Sequence, residues 1–282
     1  MISLYLFGIK CKIWFMILLS HFHIRKKASQ KIENPKDHLG PMCQLAENIL
    51  SLIVSELKIS NLDLSTAAIN KDGRVNSSIL ENIVSNNICN NLQIKEMLNT
   101  NNIRIEIPKE REWYDFCIVS NISSASNVFI PVNIKISALK TADNVSSKKG
   151  LYYACTGIIP GNLDFEGIKQ DENRLITNKW TDFYDKLYHD ADKNTDADYY
   201  FLIVNKNNNT DIFYTSLKTL DNAVPNGNNL PFLCNWDKNR SRVFKSQKDA
   251  RTYLMSIFYS SLQLSYVSVK LGLKILKKLS KK

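Results

Sequence analysis

Apolar residues recur at helical spacing from Cys43 to Lys58, at Leu45, Ile49, Leu52, Ile53 and Leu57, which predicts an amphipathic helix with one buried stripe. Polar residues from Ser60 to Asn76 break that pattern, with a turn at Lys71-Asp72-Gly73-Arg74. Ser78-Ile79-Leu80-Glu81 has the form of a capping box, so a second helix starts there and continues through Ile83, Val84 and Ile88. A further helical piece spans Leu92 to Leu98. The period then changes. Ile103, Ile105 and Ile107 alternate with Arg104 and Glu106, as in a half-buried strand. From Glu112 to Ser137, two apolar runs flank a Ser/Asn break between Ser120 and Asn127, which predicts two strands joined by a turn.

After a polar loop from Ser137 to Lys149, Gly150 to Ile159 reads as a helix stopped by Pro160-Gly161. Trp180, Phe183, Tyr184 and Leu187 make an aromatic helical stripe suited to a core. Tyr199–Val204 reads as a buried strand, Asp211–Leu217 as its hairpin neighbour, and Asn-rich turns follow, notably from Pro225 to Pro231. A long helix is expected from Ser246, with Asp249 three residues on, to Leu264. It grades into Lys270, Lys274, Lys277, Lys278, Lys281 and Lys282, interleaved with Leu271, Leu273, Ile275, Leu276 and Leu279. Such a tail can bind phosphates or an anionic membrane, or can cap a helix end. The mixture of helices and strands predicts an α/β (mixed α+β) domain over residues 42–264, a basic tail over 265–282, and an N-terminal extension and linker over 1–41.

The extension is oily over residues 1–20, but Lys10 and Lys12 interrupt it, and the run from Ile13 to Leu19 is too short to span a bilayer. No Ala-x-Ala-like cleavage site follows Leu19. Arg25, Lys26 and Lys27 would suit a positive-inside anchor. Three readings stay open: an arm preceding a start at Met42, a core element, or a membrane contact.

Charge narrows the partners. Lysine and arginine exceed the acids to give a net charge of +10, which favours a polyanion or an anionic surface. The six cysteines (11, 43, 89, 117, 155 and 234) form no CxxC motif and no zinc-spaced pair with histidine, which fits a reducing cytoplasm. The four histidines (21, 23, 38 and 189) leave little for a His-based metal site or a Ser-His-Asp triad. Nine glycines, with no P-loop and no Gly-x-Gly-x-x-Gly, argue against a glycine-loop nucleotide enzyme.

Candidate chemistry lies in the paired strands. Asn133 and Lys135 are two apart and share a face, while Val132, Ile134 and Ile136 point into the opposite layer. An amide and an ammonium on an oily strand carry a desolvation cost that suggests a site. Asp115, at the start of the neighbouring strand, could supply negative charge. This pattern resembles the metal-dependent PD-(D/E)xK nucleases, in particular the EcoRV-like type II restriction endonucleases. Tyr114-Asp115 takes the "PD" place and Asn133-Ile134-Lys135 the "(D/E)xK" place, with Asn where the second acid is usual.

The resemblance implies a restriction-endonuclease-like central mixed sheet flanked by helices. It also implies a sequence-specific cut of double-stranded DNA with Mg2+, made by a homodimer. It gives catalytic roles to Asp115, Asn133, Lys135 and Glu81, and metal ligation to Asp115, Asn133 and Glu81. Glu81 has two readings, as capping partner of Ser78 or as the helix acid that reaches the metal. Glu112 could act as a spare acid. The loop Asn226-Gly227-Asn228-Asn229 is either a plain turn or a recognition loop reading adenine edges. Lys140, Lys148 and Lys149 would contact phosphates. A DNA-binding protein that lost catalysis through Asn133, and a membrane-associated basic protein, are the rival readings.

Overall fold

The structure, a computed structural model, describes residues 40–60, 62, 77–108, 112–121, 128–140, 142–145, 147–160, 176–191 and 195–279. The oily run at 1–20, its linker up to residue 39, the 71–74 turn, the hairpin turn after Asn121, Lys281 and Lys282 lie outside the described residues, as do the side chains of Ser78 and of Lys270, Lys274, Lys277 and Lys278.

Helix α1 (Pro41–Ile59) opens with proline in its first turn, where a missing N–H costs no hydrogen bond. Its expected stripe is buried at Ile49, Ile53 and Leu57, together with Ala46 and Leu50, while Leu45 and Leu52 pack half-buried on the flank. Helices α2 (Ser77–Asn90) and α3 (Leu92–Thr100) follow; the Asn91 side chain caps α3 by accepting from the Ile94 N–H at 3.0 Å.

Strands β1 (Ile103–Glu106), β2 (Phe116–Ser120) and β3 (Phe129–Ser137) form an antiparallel meander. β3 then pairs in parallel with β5 (Tyr200–Asn205), which pairs antiparallel with β6 (Asn208–Ser216), in the order β1-β2-β3-β5-β6. The parallel pair needs a crossover. Helices α4 (Lys148–Thr156) and α5 (Ile176–Asp190) lie within it. The chain is therefore a mixed α/β protein built on a five-stranded mixed sheet, as its alternating patterns predict.

Two departures have local causes. The stretch after Ser137, expected as loop, contains β4 (Ala142–Asn144), which pairs with β8 (Leu233–Asn235); β8 also pairs with β7 (Ala223–Val224) in a second, three-stranded sheet. Helix α4 starts two residues earlier than expected because Ser147 caps it, accepting from the Gly150 N–H at 2.9 Å. It stops before Pro160, at Gly157, whose φ of 73° is the left-handed cap that glycine takes without strain.

The sheet has a packed core on each face. Val132, Ile134, Tyr200, Leu202 and Val204 join α1, α2 and α3 on one side. Phe201 and Ile203 point to the other, with Leu151 and Cys155 of α4, Phe183 of α5, and Leu254 and Phe258 of α6 (Gln247–Leu279). The aromatic stripe of α5 is core, as expected: the rings of Trp180, Phe183 and Tyr184 lie 5.4–5.8 Å from that of Phe258. Helix α6 begins where predicted, with Ser246 Oγ donating to Asp249 at 2.8 Å and accepting from its N–H at 3.1 Å. It continues unbroken past Leu264. All five described cysteines are free. Among the described residues no helix is long and apolar enough to cross a membrane.

Candidate functional site

The β2–β3 register sets the site. Phe116 faces Val132 across the pair, and the Asp115 N–H donates to the Val132 carbonyl at 2.9 Å, so Asp115 stands opposite Asn133. On the other side of β3, Asn133 neighbours Phe201 and Lys135 neighbours Ile203. Phe201 and Ile203 belong to the α4–α6 core, whereas Ile134 belongs to the α1–α3 core. Asn133 and Lys135 thus share one face, as period-2 alternation requires.

The three polar groups are half-buried, and the fold leaves them largely unused. Asp115 Oδ2 accepts from the Ile134 N–H at 2.5 Å, which fixes the carboxylate against β3. Burial pushes its carboxyl above the ordinary range, while the Ile134 amide and the nearby Lys135 charge pull it back. Asn133 Oδ1 is buried and receives no hydrogen bond. Lys135 forms no ion pair among the described residues, although its charge reaches both Asp115 and the buried Cys234 thiol. A buried amide oxygen without a donor is costly. It marks a position where the fold itself supplies no partner.

The sequence reading left Asp143 in a loop; it lies on β4 opposite Cys234. Its Oδ2 accepts from Ser137 Oγ at 2.6 Å, and Ser137 follows Lys135 by two on the same face of β3. Burial first, then the Asp143 charge, pushes the Cys234 thiol up, and Lys135 opposes them. A second carboxylate therefore stands at the Lys135 end of the row. Nothing in a three-residue Ala-Asp-Asn segment signals this, because the strand exists only by pairing with residues some ninety positions later.

Aromatic rings frame the Asp115 end. Trp113 and Tyr114 meet edge-on at 5.1 Å, and each approaches Phe129, at 5.9 and 5.7 Å. Tyr199 Oη donates to the Trp113 carbonyl at 2.5 Å, and Tyr153 Oη to the Phe129 carbonyl at 2.6 Å. These bonds tie the segment before Asp115 and the start of β3 to the core.

The remaining predicted residues are elsewhere. Val84 and Ile88 seat α2 in the core with Ile134, so Glu81's helix lies on the far side of the sheet from Asn133 and Lys135. Among the described residues no three His, Cys, Asp or Glu side chains converge to hold a metal. Glu112 is exposed. Lys148 Nζ lies 4.2 Å from the Trp180 ring centre, Lys149 is half-buried and Lys140 is exposed. A hollow of about 210 Å3 beside β1, lined by Ile88, Cys89, Lys95 and Arg104 among others, contains none of the predicted site residues.

The Asn226–Asn229 loop is built as a turn. Asn226 Oδ1 accepts from the N–H groups of Asn228 and Asn229 at 2.8 and 3.0 Å, and the Asn226 N–H donates to Ser261 Oγ at 3.0 Å. Turn geometry therefore accounts for Asn226. Gly227 presses on α6: a Cβ there would lie 2.6 Å from the Ser265 nitrogen and 2.7 Å from the Leu264 carbonyl carbon. Asn228 and Asn229 are exposed. Gly227→Ala is expected to cost about 1–3 kcal/mol in thermal or urea unfolding, because neither backbone can yield. Asn228→Ala should stay within about 0.5 kcal/mol. Compared with known proteins, the chain matches no family model, no curated protein and no solved structure.

Proposed function

We propose that this chain is a Mg2+-dependent endonuclease acting on double-stranded DNA, a variant of the PD-(D/E)xK type with asparagine in the second acidic position. The observation that carries the reading is the undonated, buried Oδ1 of Asn133, placed across β2–β3 from Asp115 and two residues from Lys135, which forms no ion pair among the described residues. Two hard oxygens and an ammonium on one face fit a divalent cation beside a phosphate. The mixed sheet lends support as well: three antiparallel strands are followed, after a crossover that contains two helices, by a strand parallel to the third.

Asp115 and Asn133 would hold the ion through their side-chain oxygens. When bound, it would supply Lewis-acid charge to the phosphodiester and a neighbouring water. The chain's residues do the rest. The Ile134 N–H keeps the Asp115 carboxylate aimed. Lys135 orients the attacking water and donates toward the phosphate oxygen on which negative charge grows. Water adds to phosphorus as one P–O ester bond breaks; the attacking water loses one proton to solvent and the departing oxygen takes one up from solvent, so the step balances as hydrolysis. A homodimer would cut both strands of a palindromic site, with Lys140, Lys149 and the exposed Asn228 and Asn229 as candidate DNA contacts; a cytoplasmic setting fits this use.

One observation favours a second reading. With no acid at 133 and Glu81's helix on the other layer, the site has a single carboxylate opposite Asn133. A DNA-binding protein that no longer cuts would look the same. Incubation with supercoiled plasmid separates the two. The enzyme gives nicked and linear DNA with Mg2+ and none with EDTA. Salt-sensitive binding without cutting, in Mg2+ or Mn2+, rejects the enzyme and leaves the binder.

A further inference from the structure

We propose that the rings of Trp113, Tyr114 and Phe129 receive an unstacked nucleobase, the one attached to the phosphate held at Asp115 and Lys135; the choice of a nucleotide as occupant rests on the nuclease reading. Trp113 and Tyr114 immediately precede Asp115, and Phe129 lies on the same face of β3 as Asn133, four residues before it. Several large aromatics in this half of the molecule are sealed: Tyr199, Phe201, Phe232 and Trp236 are at most 1% exposed. These three keep part of their surface in water, close in the β2–β3 register to the undonated Asn133 Oδ1.

The platform is held from behind. The Trp113 ring lies 5.6 Å from that of Tyr199 and 5.8 Å from that of Tyr153, and its carbonyl accepts from Tyr199 Oη. Tyr114 stands edge-on to Trp113 at 83° and to Phe129 at 81°. An occupant would find rigid apolar surface, with little side-chain entropy left to lose.

Chemistry selects the occupant. A nucleotide offers a phosphate for Lys135 and a π-face for the rings in one ligand, and the net charge of +10 on the chain favours a polyanion. In a paired duplex, neighbouring bases cover both faces of each base. The rings therefore require a nucleotide that is unpaired or turned out of the helix. The inferred substrate state is a strand opened at the scissile step, with its base against Tyr114 and Phe129.

A short oligodeoxynucleotide carrying 5-iododeoxyuridine tests this in EDTA, where no cleavage competes. Irradiation should crosslink it to Trp113, Tyr114 or Phe129, as located by peptide mass spectrometry. Unlabelled single strand should compete better than the paired duplex of the same sequence. Tyr114→Leu should weaken single-strand binding by about tenfold, and Tyr114→Trp, which keeps a stacking face, should restore it. Crosslinks confined to other segments overturn the proposal. So does unchanged binding by Tyr114→Leu, or equally weak binding by Tyr114→Leu and a well-folded Tyr114→Trp. The two readings fail separately: crosslinking here without any Mg2+-dependent cutting rejects the nuclease and keeps the platform, whereas cutting without crosslinking rejects the platform alone.

Discussion

Lys135→Ala should lower Mg2+-dependent plasmid cleavage by a factor of about 10^2 to 10^3 or more, the effect of removing one preorganised donor from a developing oxyanion. The thermal midpoint should move by no more than about 2 °C, because among the described residues the ammonium makes no ion pair whose loss would be felt on folding. That contrast between activity and stability is the informative part. A half-buried lysine serving only as packing would show the reverse, a lowered midpoint with cleavage intact, and the site assignment would then be abandoned. Asn133→Asp gives a complementary readout without turnover. Its new carboxylate would sit in place of a buried, undonated oxygen and opposite Asp115. Repulsion and desolvation should destabilise the metal-free protein. Added Mg2+ should raise the melting temperature more in this variant than in the wild type. An equal response in both proteins would place the ion elsewhere.

The sequence made the sheet readable because each strand carries its own period. Ile103–Ile107 alternates, and the two apolar runs between Glu112 and Ser137 leave room for only a short turn, so the antiparallel meander follows from local pattern. The face shared by Asn133 and Lys135 needs nothing beyond alternation. What could not be read was non-local. The Ala142–Asn144 segment has no strand propensity of its own and acquires a ladder only from Leu233–Asn235, which hid Asp143. Glu81 is the converse case. Sequence order set it with Asp115, whereas Val84 and Ile88 pack its helix into the core that holds Ile134, on the layer opposite Asn133 and Lys135. The Asn-rich loop resisted decision because the same residue types serve turns and base edges; the hydrogen bonds that Asn226 Oδ1 accepts show how the turn is built, which composition could not.

The second large effect concerns stability and lies away from the site, at Asp198 and Lys218. Both are buried, at 4% and 6% exposure. Asp198 Oδ1 accepts from the Tyr199 and Lys218 N–H groups at 2.8 and 3.3 Å, while Lys218 Nζ donates to the Thr195 carbonyl at 2.8 Å and to Gln247 Oε1 at 2.6 Å. This network ties the entry to β5, the turn after β6 and the first residue of α6 together. Lys218→Met keeps the volume but leaves the Thr195 carbonyl and Gln247 Oε1 without their donor and removes a charge that favours ionised Asp198, so a loss of about 1–3 kcal/mol is expected in denaturant unfolding. The pH dependence identifies the cause. Burial pushes Asp198 from its ordinary 3.8 up to about 6, although Lys218 and the hydrogen bonds pull it down. The folded protein therefore holds a proton that the unfolded chain releases. The stabilisation from this group is complete below about pH 4 and is lost as pH rises through about 6. Asp198→Asn retains an acceptor for both N–H groups but cannot titrate. The stability of the wild type relative to this variant should accordingly fall between pH 4 and 6 and level off above, whatever slope the surface carboxylates add to both. A difference that stays flat across that window would mean that Asp198 is already ionised at acid pH, with Lys218 offsetting its burial in full. In Lys218→Met the same fall should extend to higher pH, since the Lys218 charge that favours the ionised form of Asp198 has gone.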